Sequence, residues 1–231
     1  MIGHSMLKTN NDRVQLKEIF TSIEGEGPYF GTKTLFVRMS GCHLHCYWCD
    51  TTDALAMNSG NSFSVDEAKD LIIKELQPNT YKINFTGGEP LIQHEAVAKL
   101  ANFMKQKKDI RTYIESSCFD SIRFAKVIPF IDICKIEFKM SDSQVVDHKN
   151  YNDVLLNEIR CLKMGIMRDK ATYIKIVVTG SSNVHEFRNL TEKIFEYAEP
   201  GNLVGFVIQP CYGDNQPGLE KLLSFYDCVY P

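Results

Sequence analysis

Cys42, Cys46 and Cys49 fall within eight residues, separated by three and then two positions. Three thiolates so close in sequence can converge on one metal centre, and thiolates favour zinc or iron–sulfur clusters. Structural zinc asks for four ligands, and no second Cys pair or His pair stands at finger spacing. His43 and His45 lie inside the loop and keep a zinc reading open, although adjacent side chains do not easily all turn toward one ion. A four-iron cluster held by three thiolates leaves one iron open. A reactive cluster needs that open site, whereas a pure electron carrier uses four cysteines. Tyr47 and Trp48, between the last two candidate ligands, are suited to shield such a centre. The other five of the eight cysteines (Cys118, Cys134, Cys161, Cys211 and Cys228) read as small core residues.

A second feature is Thr86-Gly87-Gly88-Glu89-Pro90, which closes an apolar run. Two successive glycines allow the backbone to approach a ligand closely. Alone this is a weak signal; paired with the cysteine loop it is a strong one.

The elements that must position these residues follow from periodicity. Residues 14–21 and 34–39 read as strands joined by the turn Gly25-Glu26-Gly27-Pro28. Ser64 and Glu67 have capping-box spacing, and Ala68, Leu71, Ile72 and Leu76 continue at helical intervals. A strand over 81–86 runs into Gly87. Helix and strand then alternate: 95–107 and 111–115, 121–127 and 131–138, 152–164 and 172–179, 184–198 and 203–209, with a last helix over 219–226. Such alternation predicts parallel strands with right-handed crossovers. The units are too few for a closed eightfold barrel, so the expected fold class is α/β, a partial, open βα barrel with its working residues at the C-terminal strand ends. Residues 1–13 form a polar N-terminal segment, in which Gly3-His4-Ser5-Met6 reads as a cloning remnant, and 14–231 a single domain.

Composition narrows the function. The chain of 231 residues is 44% hydrophobic and 24% charged, with a formal net charge of −3, a poor basis for general nucleic-acid binding. The basic run Lys105, Lys107 and Lys108 falls at an expected helix end, where cations complement the helix dipole. No apolar stretch approaches a membrane span and no secretion signal is apparent, so a cytoplasmic location is expected. In that reducing setting eight cysteines point to metal or redox chemistry rather than disulfides.

The Cys-x-x-x-Cys-x-aromatic-Cys loop and the Gly-Gly-Glu-Pro segment together resemble the radical S-adenosylmethionine superfamily. The resemblance implies that the open iron is chelated by the methionine moiety of S-adenosylmethionine, and that an electron from the reduced cluster releases a 5′-deoxyadenosyl radical. Within it, the segment Glu18 to Gly27, then Phe36-Val37-Arg38-Met39-Ser40-Gly41-Cys42, and Asp50-Thr51-Thr52 after the loop resemble the 7-carboxy-7-deazaguanine synthases, over about residues 16–212. That family contracts the ring of 6-carboxy-5,6,7,8-tetrahydropterin with loss of ammonia, in 7-deazapurine (queuosine- or archaeosine-type) biosynthesis.

The resemblance implies site residues. Ile23, Glu24 and Gly25 would contact the pterin, with Glu24 accepting from its amino edge. Arg38 would pair the substrate carboxylate, and Thr51 would ligate Mg2+ through its hydroxyl. Thr86 would touch substrate; Gly88 and Glu89 would contact S-adenosylmethionine, as would Ser117, Lys139 and Gln209, with Glu137 nearby. Where many members have Glu-Thr-Asn-Gly, this chain has Glu115-Ser116-Ser117-Cys118. An external electron donor such as flavodoxin or ferredoxin and a homodimer are also implied, with no nucleic-acid or membrane partner. Plainer roles stand beside these: Glu24 could stabilise its turn, Arg38 form a surface pair, Thr51 cap a helix and Lys139 face solvent. Two other classes share the cysteine pattern: a glycyl-radical-enzyme activase and a non-catalytic zinc or iron–sulfur module.

Overall fold

A computed structural model describes residues 12–107, 110–143 and 145–230. The N-terminal segment through residue 11, Lys108 and Pro231 lie outside the described residues. The strands are β1 (Arg13–Ile23), β2 (Lys33–Met39), β3 (Asn61–Ser64), β4 (Lys82–Gly87), β5 (Arg111–Ser116), β6 (Ile133–Phe138), β7 (Ala171–Val178) and β8 (Gly205–Pro210). They form one open sheet in the order β3-β1-β2-β4-β5-β6-β7-β8. From β2 through β8 the neighbours are parallel, while β1 pairs antiparallel with β2 and β3. Helices α1 (Val65–Glu75), α2 (His94–Lys105), α3 (Ser121–Val127), α4 (His148–Met167), α5 (Val184–Phe195) and α6 (Leu219–Val229) complete the expected alternation. The partial barrel is therefore present. Strand β3 is the element that periodicity does not reveal: four residues, Asn-Ser-Phe-Ser, carry no apolar run and pair only with the outer edge of β1. Helix α1 starts with the predicted capping box, Ser64 Oγ accepting from Glu67 N–H and Glu67 from Ser64 N–H.

Side-chain alternation gives the sheet two unlike faces. On one face lie Leu35, Val37 and Met39, Ile83 and Phe85, Cys134, Ile136 and Phe138, and Ile174, Ile176 and Val178, all buried. They join one apolar cluster with Ile72 of α1, Leu100 of α2, Phe124 of α3, Leu162 of α4, Phe187 of α5 and Phe225 of α6. Each such Leu, Ile or Phe contributes about 1.5–3 kcal/mol of hydrophobic stabilisation, so this helix-covered face holds the fold together. The opposite face carries Thr34 and Arg38, Lys82, Asn84 and Thr86, Tyr113 and Glu115, Lys135 and Glu137, and Tyr173 and Lys175. It is the concave, polar lumen.

A small aromatic plug closes the lumen at the N-terminal ends of the parallel strands. Tyr113, Ile133 and Tyr173 are buried there, with Tyr29 and Val207 against them. The β1–β2 turn reaches across the opening to form it. Gly27, at φ +66°, lies so close to Tyr173 that a Cβ would sit 3.0 Å from the phenol oxygen, and Pro28 packs over Gly205.

The basic run divides. Lys105 ends α2 and pairs with Asp132, and Lys107 lies over the Phe103 ring. Among the described residues no helix is long and apolar enough to cross a membrane.

Candidate active site

The C-terminal ends of β2 and β4 are fastened together before the cysteine loop begins. Gly88 N–H donates to Met39 O at 3.1 Å and Glu89 N–H to Gly41 O at 2.7 Å. A Cβ on Gly87 would stand 2.3 Å from Met39 N and O, and one on Gly88 would stand 2.1 Å from Gly41 O. The two glycines let this strand end approach the chain's own β2 end and the entrance of the cysteine loop. Gly87 also holds φ +123°, open only to glycine.

The Glu89 side chain completes the fastening. Its carboxylate is buried and accepts four hydrogen bonds: Leu91 N–H (2.9 Å) and Ser116 Oγ–H (2.7 Å) on one oxygen, Ser117 N–H (2.8 Å) and Ser117 Oγ–H (2.7 Å) on the other. Both Glu89 oxygens and the Ser117 hydroxyl are thus engaged with each other, tying the end of β4 to the end of β5. Burial raises the Glu89 pKa against these donors.

From Gly41 the cysteine loop folds over the lumen's mouth. Gly41 and Cys42 N–H donate to Ala54 O and Leu55 O, and Cys49 N–H donates to Cys46 O. Cys42, Cys46 and Cys49 are unpaired and half-buried, and all three line one cavity of about 420 Å³. Burial pushes the Cys42 thiol to about 11 and raises Cys46, against the pull of Lys139. Among the described residues no three His, Cys, Asp or Glu side chains gather as they would around a single ion. Thiolates of a four-iron cluster bind different irons, so three uncommitted thiols around one cavity fit a cluster. His43 instead packs at a tilt against Phe119, with ring centroids 4.0 Å apart. Tyr47 packs edge-on against Trp48, though Tyr47 itself is exposed.

The same cavity brings together Ile23, Glu24, Gly25, Arg38, Thr51, Thr86, Gly88, Glu89, Ser117, Glu137, Lys139 and Gln209. Arg38 donates to Glu18 (2.8 Å) and to the Thr51 hydroxyl (3.0 Å), which donates to Asp50 (2.8 Å). Thr51 precedes a short 3₁₀ turn, but its side chain makes no capping bond. Lys139 is buried, not solvent-facing; it pairs with Glu137 and lies 6.0 Å from the Trp48 ring centre. The Gln209 amide donates to Pro210 O at 3.3 Å.

Between these residues and the plug lies a charged layer to which Lys135 and Lys175, outside the motifs, belong. Glu115 accepts from Thr86 Oγ1 (2.9 Å) and the Tyr113 hydroxyl (2.7 Å), with Lys135 3.8 Å away. Burial alone would raise Glu115; Lys135, the Tyr113 hydroxyl and Lys175 outweigh it and hold the carboxyl at about 2. Burial likewise opposes the charge on Glu137, yet Lys139, Lys135 and Lys175 hold it far below its ordinary range. In return Lys135 and Lys139 stay protonated despite burial. Lys175 pairs with Glu26 of the β1–β2 turn. The signal was present in the sequence: Lys135-Ile136-Glu137-Phe138-Lys139 and Lys82-Ile83-Asn84-Phe85-Thr86 alternate polar and apolar residues, which parallel strands buried on both faces do not do.

An open βα barrel with three thiols over its C-terminal mouth and a Gly-Gly-Glu-Pro turn beside them is the architecture of a radical S-adenosylmethionine enzyme carrying a 4Fe-4S cluster. Residues 23–154 match the family described as "4Fe-4S single cluster domain". The fold is similar to that of QueE from Escherichia coli, with a TM-score of 0.62 at 19% identity, covering 94% of this chain and 90% of that one. A 7-carboxy-7-deazaguanine synthase from Archaeoglobus fulgidus is 31% identical over 218 residues, spanning 92% of this chain and 89% of the relative. Another from Methanothermobacter thermautotrophicus is 27% identical over 224 residues, spanning 91% and 89%. The chain belongs to the 7-carboxy-7-deazaguanine synthase family.

Proposed function

We propose that the chain, acting as one domain over residues 14–231, converts 6-carboxy-5,6,7,8-tetrahydropterin to 7-carboxy-7-deazaguanine with loss of ammonia. The observation that carries this reading is a single cavity lined both by the three thiols and by Glu24, Arg38 and Thr86, in a chain 31% identical to a named synthase over 92% of its length. Cys42, Cys46 and Cys49 would hold the cluster, and the Gly88 region, Ser117, Glu137, Lys139 and Gln209 would border S-adenosylmethionine. When bound, these groups supply a carbon-centred, hydrogen-abstracting radical.

The chain's own residues then orient the substrate. Arg38 is a planar fork suited to a carboxylate, and its pairs with Glu18 and Thr51 fix that fork in place. Thr51 Oγ1, with the Asp50 carboxylate beside it, would be the protein's oxygen donor for Mg2+, a hard cation that takes the rest of its shell from water and substrate. Because Thr51 already accepts from Arg38, taking the ion means exchanging that bond. Ile23, Gly25 and Thr86 would border the heterocycle, with Glu24 at its amino edge. The family resemblance also supports a flavodoxin- or ferredoxin-type electron donor, a homodimer and a cytoplasmic site of action.

The test is anaerobic reconstitution with iron and sulfide, reduction, and incubation with S-adenosylmethionine and the carboxytetrahydropterin. The expected result is 7-carboxy-7-deazaguanine and ammonia in equal amounts. Absence of that product, with a glycyl radical formed on a partner protein instead, would replace this reading by the activase.

A further inference from the structure

One charged pair in the lumen joins Glu24 to a lysine that lies outside the motifs. Lys82, at the start of β4, is fully buried. Its Nζ donates to Glu24 Oε2 at 2.7 Å, Thr34 Oγ1 at 2.8 Å and Thr32 Oγ1 at 3.2 Å. An ammonium has three protons, and all three are placed. The rings of Tyr29 and Tyr113 flank it, 5.8 and 5.2 Å from Nζ to their centres. A buried ammonium persists only beside a counter-charge, and Glu24 is the carboxylate in contact with it. Lys82 engages one Glu24 oxygen. The other, Oε1, receives no hydrogen bond among the described residues, and Glu24 lines the active-site cavity.

We propose that Lys82 is a positioning residue that sets substrate specificity: it holds Glu24 as a carboxylate with Oε1 free to the cavity, so that the site selects a heterocycle whose facing edge donates an N–H and rejects one that presents a carbonyl oxygen there. This rests on the reading of Glu24 as the residue facing the substrate's amino edge. An ionised carboxylate only accepts hydrogen bonds, whereas a carboxylic acid also donates. The groups facing Glu24 are Lys82 from β4, Glu115 from β5 and Glu26 from its own turn, the last paired with Lys175 of β7. Burial, the largest effect, and the two carboxylates raise the Glu24 pKa above its ordinary value against the pull of Lys82, and burial lowers that of Lys82 against the pull of Glu24 and Glu115.

The test measures equilibrium binding of 6-carboxy-5,6,7,8-tetrahydropterin and its 2-oxo counterpart to the reconstituted holoenzyme. Wild type should prefer the amino form by about 100-fold, the order expected of one hydrogen bond to a charged group. In Glu24→Gln, Lys82 can accept no bond and must take the amide oxygen, which turns the amide NH2 into the cavity. The preference should therefore invert toward the 2-oxo form. In the double variant Glu24→Gln/Lys82→Met nothing orients the amide, and the two ligands should bind within about 3-fold of each other. In Lys82→Met alone, affinity for the amino form should fall with decreasing pH at values where wild type is still flat, because burial, Glu115 and Glu26 act on Glu24 without opposition. Glu24→Gln that keeps or merely loses the amino preference, or a double variant that behaves as Glu24→Gln does, overturns the assignment. Wild type that binds neither ligand overturns it together with the underlying reading. Wild type that binds with the expected preference but makes no product leaves Lys82 in its role and removes only the proposed reaction.

Discussion

Replacing Glu89 by alanine asks what the glutamate of the Gly-Gly-Glu-Pro segment is for. The resemblance to radical enzymes assigns it to the cofactor; the structure gives all four of its visible bonds to Leu91, Ser116 and Ser117. Truncation frees two hydroxyls, which can rotate to other acceptors, and two backbone N–H groups, which cannot. Each orphaned buried N–H costs about 1–3 kcal/mol. Against this stands the relief of desolvating a carboxylate, visible as its raised pKa. The net loss is about 3 kcal/mol. For a chain of 231 residues each kcal/mol moves the melting temperature by about 2–4 °C, so the apoprotein should melt about 6–12 °C lower. Fully folded domains hold about 5–15 kcal/mol, so the variant should still fold at room temperature. The assay is calorimetry on protein prepared without cluster and without S-adenosylmethionine, where a cofactor contact has nothing to contribute. A melting temperature within about 2 °C of wild type, together with weakened S-adenosylmethionine binding in the loaded enzyme, would refute the structural account.

Other consequences can be checked separately. Cys46→Ala should lose iron and sulfide on reconstitution yet keep its far-ultraviolet circular dichroism, because the core lies on the other face of the sheet from the cysteine loop; a collapsed spectrum would contradict this. Arg38→Lys should weaken binding of the carboxytetrahydropterin about tenfold or more and S-adenosylmethionine little, measured by equilibrium binding, since a point ammonium cannot replace a fork held by Glu18 and Thr51; equal losses would count against the role. The Glu115 carboxyl, held at about 2, lies below its unfolded value, so it contributes stability above about pH 5 that is lost as the pH falls toward 2. By linkage that is on the order of 3 kcal/mol. Glu115→Gln should therefore flatten the acid limb of the melting-temperature profile, and an unchanged limb would show that the carboxyl is not held down in the fold.

The parts of the fold that sequence reading recovers are those with dense local signals. The cysteine loop compresses its chemistry into eight residues, and Ser64 with Glu67 announces a helix start in four. Strand β3 escapes because edge pairing with β1 needs backbone groups, not an apolar run, and Asn61–Ser64 offers nothing else to detect. The glycines were legible as a close approach, but not what approaches: only the parallel pairing of β2 with β4 brings Gly41 and Gly88 together. The same holds for Glu89, whose partners Ser116 and Ser117 belong to the next strand and its end.

Lys82, Lys135 and Lys175 are the part of the lumen that motif reading leaves out, and the reason is physical. The lumen's charged residues are spread over the β1–β2 turn, strands β4 to β7 and the residue after β6, and meet only when the sheet curls. A closed barrel fills its interior with branched apolar side chains and gains stability there. This open sheet takes its apolar stabilisation from the helix-covered face, which frees the inner face to hold Lys82, Lys135, Lys139 and Lys175 against Glu24, Glu26, Glu115 and Glu137. Such a network adds little net stability, because desolvation offsets attraction, but losing one member leaves a buried charge unmatched. Substitutions there should be strongly non-additive, as for groups acting as one unit. The cysteine loop, common to many radical enzymes, starts the chemistry. The layer below it is made of individually ordinary lysines and glutamates, and its meaning lies in which of them face each other.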